Sequence, residues 1–137
     1  MHHMATPLRL LIALLLFITT ISFQGTTNGG EEQRCAASSS IDVRTTNTGA
    51  AAGGDTVFEV RVKNLCPCSV RDVHLDGGGF ATTVEVDPSV FRADDDGATY
   101  LLNGGEPIAS MATVTFHYAW DHFFRITPRS MEVVDQC

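Results

Sequence analysis

The sequence predicts an all-β fold, an antiparallel β-sandwich of about seven or eight short strands fastened by disulfides. Three observations point there. Apolar and polar residues alternate with period two in several separate runs, turn-forming clusters of Gly, Asp, Asn and Pro fall between those runs, and helical periodicity is almost absent. An even number of cysteines, four, accompanies a short apolar leader, which places the thiols in an oxidising compartment.

The leader comes first in the chain. A single basic residue, Arg9, precedes the apolar run Leu10 to Phe23, and small and polar residues follow from Gln24 to Thr27. That is the layout of a secretory signal peptide, expected over residues 1–25 with cleavage between Phe23 and Thr27. A spanning helix needs about 20 apolar residues, and Thr19, Thr20 and Ser22 dilute this run before that length. Residues 26–34 read as a flexible lead-in, and 35–137 as a single β-sandwich domain.

Ile41 to Thr46 forms a first strand, followed by a connection of small residues through Asp55. The clearest strand is Thr56 to Lys63, where Phe58, Val60 and Val62 face one way and Glu59, Arg61 and Lys63 the other. Such alternation is the mark of an antiparallel sheet with one wet face. Val70 to Leu75 and Phe80 to Val86 give two more strands, parted by Gly77, Gly78 and Gly79, which suit a turn or a close backbone approach. Asp87 and Pro88 end the second of these, and Asp94 to Gly97 makes an exposed acidic turn. Tyr100 to Leu102 is a short strand leading into the turn Asn103 to Pro107. Thr113 to Trp120 alternates again, and Phe123 to Thr127 and Ser130 to Val134 complete the set with Thr-Pro-Arg between them. The expected core is Phe58, Val60, Val62, Val84, Val86, Val114, Phe116 and Tyr118.

The four cysteines, Cys35, Cys66, Cys68 and Cys137, are the disulfide residues. Joining Cys66 to Cys68 across Pro67 would close a small strained ring, which disfavours that pairing. Two connectivities remain open: Cys35–Cys66 with Cys68–Cys137, or Cys35–Cys68 with Cys66–Cys137. Zinc is the rival use of these sulfurs, but Cys-x-Cys with the scattered His74, His117 and His122 matches no zinc spacing.

Sixteen acidic residues against nine basic ones give a formal charge of −7, and loss of Arg9 with the leader makes the balance more acidic. This excludes nucleic acid and anionic membranes as partners held by bulk charge and leaves a basic patch on a protein partner compatible. No nucleophile elbow accompanies the Ser, His and Asp present, so no enzyme is expected. Asp94, Asp95 and Asp96 do not make a calcium loop, because an EF-hand with Gly97 in its glycine slot would start at Arg92 and end at Asn103. The glycine triplet lacks the Lys-Ser or Lys-Thr of a phosphate loop. No catalytic residue, cofactor or metal is therefore expected. Tyr118 and Trp120 suit either core packing or a sugar-stacking platform, and the apolar side of their strand favours the core. No Asn-x-Ser or Asn-x-Thr sequon occurs.

From Val60 to Cys137 the chain resembles the plant TAPETUM DETERMINANT-like family of small secreted cysteine-rich proteins. The matching pieces are Val-Lys-Asn-Leu-Cys (62–66), Val-His-Leu with Gly79-Phe80, Val-Asp-Pro with Phe91-Arg92, Leu-Leu-Asn-Gly-Gly-Glu-Pro (101–107), Phe-His-Tyr-Ala-Trp (116–120) and Cys137. Cys35 and Ile41 to Gly49 extend the likeness upstream. The resemblance implies a secreted, apoplastic ligand for the ectodomain of a leucine-rich-repeat receptor kinase, used in anther cell fate. Two family cysteine positions carry Gly77 and Tyr100 here, as though one bridge had been lost as a unit, with Tyr100 able to lie over the small Gly77. The alternative reading is a non-catalytic cell-wall or carbohydrate-binding module built on Trp120. Exposed turns at Asp94–Gly97 and Asn103–Glu106 are candidate contacts because loops carry recognition.

Overall fold

In the computed structural model the described residues are 35–134 and 137. The expected leader and lead-in lie outside them. The chain enters through a one-turn helix, α1 (Ala37–Ser40), and then runs through seven strands: β1 (Ile41–Ala52), β2 (Asp55–Asn64), β3 (Val70–Asp76), β4 (Phe91–Ala93), β5 (Thr99–Leu102), β6 (Thr113–Trp120) and β7 (Thr127–Val133). They form two antiparallel sheets, one of three strands in the order β1-β2-β6 and one of four in the order β4-β5-β3-β7.

The strongest alternating runs build the three-stranded sheet. Phe58, Val60 and Val62 of β2 are buried beside Phe116 and Tyr118 of β6, while Arg61 faces water. Full burial of side chains such as Val60 and Val62 is worth roughly 1.5–3 kcal/mol each. The four-stranded sheet returns Val70, Val73, Leu75, Phe91 and Leu102 to the same core, and Ile108, Phe124 and Ile126 close its margins from irregular segments.

β1 is longer than the expected Ile41–Thr46. The segment read as a loose connection continues the strand and turns at Gly53 and Gly54, both in the left-handed region (φ 59° and 85°), which is the backbone a tight hairpin requires. A register shift between Asn47 and Ala51 accommodates Gly49, whose N–H is held by the Asn47 side chain at 2.9 Å.

Phe80–Val86 is not a strand. After the left-handed Gly78 and Gly79 the chain runs irregularly, and Thr82 and Thr83 instead dock on the free margin of β6. The Thr82 hydroxyl accepts from the Ala119 N–H and donates to the Val84 carbonyl, and the Thr83 N–H donates to the Ala119 carbonyl. Side-chain bonds to the backbone thus replace a ladder. Val84 consequently stays out of the core, and Val86 and Val114 are only half-buried against it.

β4 was not foreseen. The Asp87 carboxylate accepts from Ser89 and its carbonyl from the Val90 and Phe91 N–H groups, a turn that delivers Phe91 to the sheet. Phe123–Thr127 is also not a strand: Phe124 and Ile126 are buried and Phe123 and Arg125 exposed, but the Phe124 N–H bonds the Tyr118 hydroxyl at 2.9 Å rather than a neighbouring strand. Thr-Pro-Arg, expected between strands, opens β7. Its Pro128 is tolerated because β7 is an edge strand.

Candidate functional site

The structure joins Cys35 to Cys66 and Cys68 to Cys137, with Cα separations of 5.5 and 5.3 Å, the first of the two connectivities the spacing left open. The bridges close segments of 31 and 69 residues and meet at the Cys66-Pro67-Cys68 bend. Cys35, Cys66 and Cys68 bring their sulfurs within 4.8 Å of one another, a spacing that reduced thiolates would present to a metal. Each of the three is committed to a disulfide, so none offers a thiolate.

Asn64 organises this bend. Its side chain is buried, its amide donates to the carbonyls of Cys68 (2.8 Å) and Ile108 (3.0 Å), and its Oδ1 accepts from the Cys66 N–H (2.9 Å). Ser110 adds a hydroxyl bond of 2.6 Å to the Cys66 carbonyl. Ser40 ties in α1, accepting the Ala36 N–H on its hydroxyl and the Leu65 N–H on its carbonyl. Asn64 was missed because its period-two position, on the buried side of β2 after Val62, demanded an apolar residue. A polar residue at such a position, next to a Cys-Pro-Cys bend whose backbone cannot join a ladder, was the available signal.

A second shared feature is aromatic. The Phe80 ring contacts those of Phe91, Tyr100, Tyr118 and Phe124, with centroids 5.1–5.6 Å apart, and Phe91 stacks between Phe116 and Tyr100 at 4.2 and 4.6 Å. Tyr118 is fully buried, and Trp120 is half-buried against the core, so these two do not form an exposed platform. Burial pushes the Tyr118 phenol above its ordinary value, with the Phe124 N–H opposing the shift. Among the described residues the exposed aromatic ring is Phe123, at 63%.

The candidate turns sit at opposite ends of β5. At Asp94–Gly97 the carboxylates hold the turn itself: Asp94 accepts from the Thr99 hydroxyl and lies 2.8 Å from His74 Nδ1, and Asp96 accepts the Ala98 and Thr99 N–H groups, which holds its carboxyl below the usual range. At the other end Asn103, Gly104 and Gly105 all take positive φ in a 3₁₀ turn. Among the described residues the histidines are not brought together. His74 meets Asp94, His117 meets Glu59, and His122 meets Asp121.

A family model described as Tapetum determinant 1, C-terminal, matches residues 37–134. An uncharacterised protein of Arabidopsis thaliana is 35% identical over 75 residues, covering 53% of this chain and 58% of its own. TPD1 protein homolog 1A of Oryza sativa subsp. japonica is 31% identical over 94 residues, covering 61% of this chain and 40% of its own. The chain thus spans about half the length of these curated relatives. No solved structure matches.

Proposed function

The chain belongs to the Tapetum determinant 1 family, and on that premise we propose that it is a secreted plant signalling protein, an extracellular ligand for a leucine-rich-repeat receptor kinase in anther cell-fate specification. The observation that carries the reading is the extent of the family match, which runs from α1 through the end of β7 and so takes in both sheets. Two disulfides meeting at one bend are consistent with an apoplastic protein whose surface is held rigid before it meets a partner. The protein acts by binding and not by catalysis, and the acidic balance of the chain suits a basic patch on the receptor.

The test is direct binding of the oxidised protein to purified receptor-kinase ectodomains of the leucine-rich-repeat class from anther tissue. Saturable binding that disappears on reduction supports the reading. Absence of binding across the ectodomains expressed there, with the disulfides intact, contradicts it.

A further inference from the structure

The core-facing side of the three-stranded sheet extends beyond what covers it. At one end its residues are apolar and buried, Val60 and Val62 on β2 with Ile41 on β1. At the other end the same faces carry Thr45 and Asn47 on β1 and Thr56 and Phe58 on β2. Register pairs Thr45 with Val60 and Asn47 with Phe58, and sets Thr56 and Phe58 against Trp120 and Tyr118 of β6. Between this strip and the loop Asp121–Phe123 lies an open cleft of about 460 Å³, lined by these four residues together with Asp121, His122 and Phe123. Its size falls within the roughly 300–1,000 Å³ of small-molecule sites.

The lining combines two chemistries. Phe58 gives a fixed apolar floor, since its ring stacks on Tyr118 at 5.2 Å. Phe123 stands at the rim, the most exposed of the large apolar side chains among the described residues. Its loop is steadied by His122, whose ring packs on Phe124 at 4.9 Å. Around these rings are uncommitted hydrogen-bonding groups. Among the described residues the Thr45 and Thr56 hydroxyls make no side-chain bond, and Asn47 uses only its Oδ1, toward Gly49, leaving its two amide hydrogens free. Asp121, one of whose carboxylate oxygens already meets His122, adds an acceptor with the other.

We propose that this cleft binds a neutral saccharide, with Phe123 stacking on the C–H face of a sugar ring and Thr45, Asn47, Thr56 and Asp121 bonding its hydroxyls. A pyranose is the ligand class that presents an apolar face and a rim of alternating donors and acceptors together. The acidic chain and the carboxylate at the rim select against uronates and other anionic sugars. The inference goes beyond the signalling reading and does not depend on it, since a glycan site would place the protein in the cell wall whichever receptor it serves.

The test follows backbone amide resonances of the oxidised protein during titration with neutral oligosaccharides (cello-, xylo- and mannohexaose) and, separately, with an oligogalacturonide. A neutral oligosaccharide is expected to move resonances of the residues lining the cleft. Phe123→Ala should weaken that binding by about tenfold, the size of one lost aromatic stack, and Phe123→Trp should restore it. Thr56→Val, away from the exposed rim, should weaken it independently. Unfolding midpoints identify any variant that acts through stability. The proposal is overturned if no neutral oligosaccharide perturbs the cleft at millimolar concentration, if only the oligogalacturonide does, or if Phe123→Ala binds undiminished. Loss of receptor binding by Phe123→Ala without any saccharide response also overturns it and assigns the cleft to the protein partner. Normal saccharide binding with no receptor binding leaves this site standing and removes only the signalling reading.

Discussion

The ring of Tyr100 lies directly over Gly77. A Cβ placed on Gly77 would overlap the ring at Cε1 and sit 2.9 Å from Cδ1, so the absence of a side chain at 77 is what admits the tyrosine. In register Leu75 faces Tyr100 and Asp76 faces Thr99, which sets Gly77 diagonally across from Tyr100 at the end of the β3–β5 pair. The Gly77 N–H reaches the Ala98 carbonyl at 3.4 Å.

Substituting only Gly77→Ala should therefore destabilise the protein by about 1–3 kcal/mol, the usual cost of overpacking. A chemical unfolding curve checks this. Replacing both residues, Gly77→Cys with Tyr100→Cys, should form a third disulfide, because the two side-chain sites are neighbours at the end of the β3–β5 pair. Intact mass with thiol labelling reads the result, and two free thiols in the oxidised double variant would contradict it.

Asn64→Leu keeps the size of the buried side chain but removes its three bonds, two to the cysteine bend and one to Ile108. It should cost about 2–4 kcal/mol, since the Cys66 N–H and the Cys68 carbonyl lose their partner together, while the Ile108 carbonyl keeps the Val70 N–H. The same unfolding measurement, made with disulfides intact, checks it. A midpoint equal to that of the parent would contradict the role given to Asn64.

Tyr118, together with Tyr100, provides an alkaline pH dependence. Its folded-state value is raised above the 10.0 of a free phenol by burial, so the unfolded chain loses its proton first as pH rises. The resulting stability is complete below about pH 10 and declines as pH climbs through the folded value. Alkaline titration should show phenolate absorbance appearing together with loss of folded signal. Tyr118→Phe should reduce that coupling to the share carried by Tyr100, whose phenol burial also raises, while leaving the Phe124 N–H without its acceptor at a cost of about 1–2 kcal/mol.

The legible part of this fold was the part in which one physical rule acts alone. β2 and β6 alternate because each has one face in the core and one toward water, the exception being Ala119, which the Thr82–Thr83 segment covers, and their bounds follow. The glycine triplet suits a turn or a close approach, and at Gly78 the approach is present: a Cβ there would fall 2.8 Å from the Arg125 carbonyl oxygen. Misreadings arose where alternation persists without a pairing partner. Phe123–Ile126 alternates in burial, yet its backbone is satisfied by a tyrosine hydroxyl. Phe80–Val86 has strand-like composition, but threonine hydroxyls hold it against an edge.

The candidate sites divide the same way. Four cysteines announce two bridges but not which sulfurs meet, because Cys66 and Cys68 are nearly equivalent in sequence. The bend held by Asn64 is what distinguishes them. Tyr118 and Trp120 read as core rather than as a sugar platform, and Tyr118 is buried and Trp120 half-buried against the core. The ring that reaches solvent among the described residues is Phe123, in a segment whose exposure depends on how β6 ends and how Phe124 is held. That is tertiary information that no local pattern carries.

One measurement tests the central claim most directly: non-reducing peptide mapping, with N-terminal sequencing, of the protein recovered from the extracellular fluid of plant cells that express the whole chain. The account predicts a chain beginning near residues 24–28, no reactive thiol, and two linked peptides joining Cys35 to Cys66 and Cys68 to Cys137. A retained apolar leader with four alkylatable cysteines, or a Cys66–Cys68 bridge, would contradict it.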